Sequence, residues 1–95
     1  MRSPRRTAKL IVDAIPRIEE ERDRRTTRFQ LSLVSLVKIT EREVVDQHFL
    51  NSLFSEMMCL GWCMIQVENT RYGFIRRESV QNWVKLSSKR FIQTE

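Results

Sequence analysis

Glycine, proline and cysteine are scarce in this 95-residue chain, at two residues each, and histidine occurs once. Two glycines, Gly61 and Gly73, cannot build a phosphate-cradling loop or a dinucleotide fingerprint, both of which need glycines in close series. One histidine (His48) and two cysteines (Cys59 and Cys63) fall short of the paired ligand sets of structural zinc sites, so neither metal nor cofactor is expected. There is no run of about eighteen uncharged apolar residues, which excludes a membrane span on the sequence. Nor does an apolar core of roughly seven residues follow the basic start, so a secretory signal is not expected and the chain reads as cytoplasmic, with reduced thiols.

The same scarcity limits catalysis. A nucleophile needs a base beside it, but His48 and Cys59 are eleven residues apart on one predicted helix, about 16 Å at the helical rise. Glu19, Glu20, Glu21 and Asp23 form a run flanked by arginines, the pattern of a solvated face with local ion pairs. The chain is therefore read as non-enzymatic.

Charge is plentiful and unevenly placed. Seventeen Lys and Arg against twelve Asp and Glu give a net charge of +5. Residues 1–28 contribute +4, residues 29–70 contribute −3 and residues 71–95 contribute +4. Segregated basic ends favour an anionic partner over uniform solvation.

At this length one domain is expected, made of a basic helical segment (1–28), a central unit (29–77), and a short helix with a basic tail (78–95). Ser3 and Pro4 start a first helix with an apolar stripe at Ala8, Ile11, Val12 and Ile15. Pro16 either ends that helix or kinks it into the run that follows. Phe29 to Ile39 fits two templates: alternation of Phe29, Leu31, Leu33, Val37 and Ile39 with only Ser35 breaking the row, or a helix capped by Ser32 with Leu33, Leu36 and Val37 buried. The capping box that follows, Thr40 with Glu43, tilts this stretch to helix. The same box predicts the start of a long helix with Val45, Phe49, Leu50, Leu53, Phe54, Met57 and Leu60 on its apolar side, terminated at Gly61. From Trp62 the period changes to two, and Glu68 to Arg71 separate this run from Tyr72–Ile75, so a two-stranded hairpin is expected near 63–76. A short helix from Glu78 or Ser79 would carry Val80, Trp83, Val84 and Leu86. Cys59 and Cys63 are read as buried thiols.

Helix, short connection, long helix and hairpin is an element order that resembles the winged helix-turn-helix family over about residues 26–77. The resemblance implies a small α+β, winged-helix-like domain of three to four helices plus a two-stranded hairpin. It further implies duplex DNA as partner, with the long helix in the major groove and the hairpin as the wing. Carried onto this sequence, Arg42, Gln47, His48 and Asn51 are groove-facing candidates, and Arg71 and Tyr72 serve the wing. Arg24, Arg25, Thr26 and Arg28, with Lys89 and Arg90, would neutralise phosphates. The expected role is a phage- or plasmid-type transcriptional regulator or accessory factor.

One feature opposes this. Glu41, Glu43, Asp46 and Glu56 against Arg42 give the expected recognition helix a net −3, which repels phosphate. The competing reading is a protein-binding inhibitor or adaptor, such as an anti-defence protein, anchored by exposed Tyr72, Phe74, Trp83 and Phe91. A homodimer fits either reading, with the stripe Ala8, Ile11, Val12 and Ile15 as its seam unless that stripe packs on its own core.

Overall fold

A computed structural model describes residues 1–92. The first helix, α1 (Pro4–Arg22), is capped by the Ser3 hydroxyl, which accepts the Arg6 N–H at 3.2 Å. The helix runs through Pro16, giving up only the hydrogen bond that a proline nitrogen cannot donate. It stops at Asp23, which adopts a left-handed conformation (φ 53°) and turns its N–H back onto the last carbonyls.

The ambiguous stretch divides. Arg28–Ser32 is a strand, β1, and Leu33–Thr40 a helix, α2, with Ser32 at the boundary accepting the Ser35 N–H at 3.1 Å. The expected two-stranded hairpin is therefore part of a three-stranded sheet. Strands β2 (Trp62–Glu68) and β3 (Arg71–Arg76) form the hairpin, and β1 adds antiparallel to β3, giving the order β1-β3-β2. The register pairs Arg28 with Ile75 at one end and Ser32 with Arg71 at the other.

The long helix also starts later than the capping box predicts. Thr40 lies one turn beyond Leu36 and continues its buried row, so it closes α2: its hydroxyl donates to the Val37 carbonyl and accepts the Arg42 N–H. Glu41 (φ 56°) then breaks the helix. The next helix, α3 (Gln47–Cys59), is capped instead by Asp46, whose carboxylate accepts the Phe49 N–H at 2.8 Å. Gly61, at φ 87°, supplies the left-handed step into β2.

Helix α1 packs on α3, which in turn packs on β2 of the sheet. Ala8, Ile11 and Ile15 are buried against Leu36, Phe49, Leu50, Leu53 and Met57, so this stripe belongs to the chain's own core and is no dimer seam. The sheet contributes Trp62, Met64, Tyr72 and Phe74. Phe29 stacks on Phe74 with centroids 4.9 Å apart and meets Trp62 edge-on at 5.2 Å. Tyr72 and Phe74 are thus core residues, in contrast to their expected exposure, because the core-facing row of β3 carries them. Cys59 is exposed and Cys63 half-buried, which overturns the reading of two buried thiols. After β3 the helix α4 is a single turn, Arg77–Val80, and leaves Trp83, Val84 and Leu86 outside any helix. A 3-10 turn follows at Ser88–Arg90.

Candidate nucleic-acid interface

The apolar side of α3 faces the core, which forces its other side outward. Gln47, His48 and Asn51 are all exposed there, on the first two turns. The Gln47 amide donates to the Asn51 carbonyl oxygen at 2.9 Å, the i to i+4 pairing expected on one helix face. Because α3 runs antiparallel to β2, these amides come beside the hairpin end of the sheet. A shallow cleft of about 90 Å³ there is lined by Gln47, Asn51 and Phe54 from α3 and by Gln66 and Tyr72 from the hairpin.

The late start of α3 redistributes the acidic charge. Glu41, Glu43 and Asp46 precede the helix, leaving Glu56 as its one carboxylate. The Glu41 carboxylate pairs with Arg2 at 3.1 Å and with the terminal amine at 3.8 Å, and that of Asp46 is engaged in the cap. The exposed start of α3 therefore carries Gln47, His48 and Asn51, with the Asp46 carboxylate held at its cap.

Arg42 takes no part in that face. It precedes α3, lies half-buried with its guanidinium 4.4 Å from the centroid of the Phe49 ring, and donates from Nε to the Arg2 carbonyl. Its cation spans the amino-terminal segment and the α2–α3 connection.

The hairpin turn is short. Arg71 is exposed at its end, but the turn does not project beyond β1, because the Thr70 carbonyl accepts the Leu33 N–H at 2.8 Å. Tyr72 is only 4% exposed and offers the cleft its edge rather than a protruding side chain.

The arginine segment after α1 sits at the opposite end of the sheet, where Arg28 opposes Ile75. It is held by a buried polar knot. The Glu19 carboxylate accepts the Thr26 N–H at 2.7 Å and pairs with Arg76 at 3.3 Å; Arg76 donates from Nε to the Thr26 carbonyl and lies over the Trp62 ring at 4.8 Å. Thr26 is buried within this knot, whereas Arg24 and Arg28 remain exposed. Arg25, also exposed, pairs with Glu78. Lys89 and Arg90 lie exposed on the carboxy-terminal 3-10 turn.

No protein-family model, curated protein or solved structure matches this chain. The residues stand on their own chemistry. Gln47, His48, Asn51 and Arg71 share the hairpin end, while Arg24, Arg25 and Arg28 occupy the other. Among the described residues no group of three His, Cys, Asp or Glu side chains comes together to hold a metal, and no helix is long and apolar enough to cross a membrane.

Two contributors lie outside the residues assigned to DNA from the sequence. Gln66 gives no local signal, because it follows the alternation of an ordinary strand and enters the cleft only through the packing of α3 on β2. Arg76 reads as one more cation of a basic end, and its place beneath the arginine segment depends on Glu19, 57 residues away.

Proposed function

We propose that this chain is a small, non-enzymatic DNA-binding protein of the winged helix-turn-helix kind, a regulator or accessory factor that reads duplex DNA with α3. The observation that carries this reading is the joint exposure of Gln47, His48 and Asn51 at the start of a helix that has shed three of its four expected carboxylates. Asn and Gln side chains match the donor and acceptor pair that adenine presents in the major groove. The order α1-β1-α2-α3-β2-β3, with α2 and α3 leading into the hairpin, supports the same reading.

Phosphate contacts fall to the flanking cations. Arg71 serves the hairpin end next to α3, and Arg24 and Arg28 serve the far end of a duplex laid along the sheet. Lys89 and Arg90 add charge from the carboxy-terminal segment. Arg42 acts as a positioning residue for the first turn of α3, through Phe49.

Two variants test the division of labour on a duplex selected from a random pool. Asn51→Ala is expected to relax sequence preference at one position, at a cost of about 1–3 kcal/mol. Arg71→Ala is expected to weaken all duplexes alike. Selection that yields no preferred sequence, or an Asn51→Ala protein that keeps full preference, refutes reading by α3.

A protein partner is the second reading, favoured by the exposure of Trp83 (59%) and Phe91 (72%). Large aromatics left in water are the usual anchors of protein interfaces. That reading wins if duplex binding is absent and a Phe91→Ala chain loses a partner that the unaltered chain retains.

A further inference from the structure

Among the described residues, the outer face of the sheet is covered by no helix beyond the single turn α4 at one end. On this face, alternation places Cys63, Ile65 and Val67 from β2 and Ile75 from β3, with Ile65 56% and Val67 47% exposed. Gly73 sits in the middle strand of this face and lends it no side chain; a Cβ there would meet Ile65 and Val67 at 3.2 Å. The result is an apolar groove of about 500 Å³, closed at one end by Val80 and Trp83.

The segment that follows carries the matching surface. Val84, Leu86, Phe91 and Ile92 are 57–82% exposed. Val84 and Leu86 alternate with Lys85 and Ser87, the pattern of an extended segment with one apolar side. Among the described residues, the backbone hydrogen bonds of 84–92 run only within Ser87–Ile92. The chain is accordingly extended, with a radius of gyration of 15.9 Å and a long axis of 56 Å, against about 12 Å for the radius of a compact chain this long.

We propose that the chain pairs with a second copy of itself, each copy laying its Val84–Ile92 arm along the outer sheet face of the other. The exposure of every arm residue shows that the arm is not seated in its own groove, although Val80 and Trp83 reach that groove's end. Val84, Leu86, Phe91 and Ile92 on the arm and Ile65, Val67 and Trp83 at the groove are 47–82% exposed, the kind of apolar surface that a standard stable interface of about 800 Å² per partner covers. Exchange of the two arms about a two-fold axis fills both grooves and closes the assembly at two chains, whereas the same contact made head to tail would grow into a filament. The pairing is argued without the DNA-binding reading and its test contains no DNA, but it uses the arm that carries Lys89 and Arg90 and a groove flanked by Arg28, which that reading assigns to phosphate.

The experiment is sedimentation equilibrium of the full chain across roughly 1–100 μM, the range in which a concentration-dependent pair declares itself. The unaltered chain is expected at twice its 11.4 kDa. Ile65→Lys, which places a charge in the groove, and Phe91→Asp, which places one on the arm, are each expected at 11.4 kDa. An equimolar mixture of the two variants regains dimer at the upper end of this range, more weakly than the unaltered chain, because one of the two arm-in-groove contacts is intact. Far-UV circular dichroism verifies that each variant is folded, and Val67→Lys replaces Ile65→Lys if that variant is not. An unaltered chain that stays at 11.4 kDa throughout overturns the proposal, whether its arm folds onto its own sheet or awaits another protein. So does a dimer that survives both substitutions, or a mixture that fails to recover.

Discussion

Replacing Glu19 with alanine removes the carboxylate that the Thr26 N–H and the Arg76 guanidinium share. The Thr26 N–H, 2.7 Å from Glu19 Oε2, belongs to a residue only 4% exposed, so it loses its acceptor where water has little access. A hydrogen bond to a charged group contributes about 1.5–3 kcal/mol, and a buried donor left without a partner incurs most of its desolvation penalty. The pair with Arg76 adds less, because both side chains keep about a quarter of their surface in water and such pairs contribute about 1 kcal/mol or less. Arg76 also retains the Thr26 carbonyl and the Trp62 ring. The expected destabilisation is about 2–3 kcal/mol, a fall in Tm of roughly 8–20 °C for a domain this size. Urea unfolding measures it, with the midpoint falling and the slope unchanged. Glu19→Gln keeps an acceptor for the Thr26 N–H and should lose only about 1 kcal/mol. Glu20→Ala, on the exposed neighbour, is the control and should stay within about 0.5 kcal/mol of the unaltered chain. A Glu19→Ala protein as stable as Glu20→Ala would refute the knot as the support of the arginine segment.

Other outcomes follow from the same geometry. Asp46→Ala should lose about 1 kcal/mol as the cap of α3, whereas Glu43→Ala should lose almost nothing; thermal melts that reverse this order would restore the capping box at Thr40. Phe74→Ala, emptying the centre of the aromatic stack, should cost about 3–5 kcal/mol by chemical denaturation. Arg71→Ala should reduce the salt slope of duplex binding by about 1, and Arg42→Ala should lower stability while leaving that slope unchanged.

Much of the fold is written in local signals. Ser3 with Pro4, the apolar stripe of α3, Gly61 and the alternation after Trp62 each report on their own neighbourhood. Strand β1 does not, because Phe29 and Leu31 become strand residues by pairing with Phe74 and Tyr72, more than forty positions downstream. Ser32 is visible as a cap and the alternation of Phe29 and Leu31 as a strand template, but nothing local says that the strand ends at Ser32 and the helix begins there. Thr40 and Glu43 satisfy a true helix-start pattern that loses to the burial of Thr40 beneath Leu36, and Asp46 then takes the cap. In the candidate interface, Gln47, His48 and Asn51 are legible because they lie off the apolar stripe. Tyr72 and Arg42 look equally available in the sequence, yet one is drawn into the core row of β3 and the other onto the Phe49 ring.

The measurement closest to the central claim is the affinity of the unaltered chain for duplex DNA as salt rises. Binding through Arg71 with Arg24, Arg28, Lys89 and Arg90 predicts a log–log slope of about −3 to −5, near −0.9 for each phosphate neutralised. A duplex that does not bind at about 50 mM salt, or binds with a slope near zero, contradicts it.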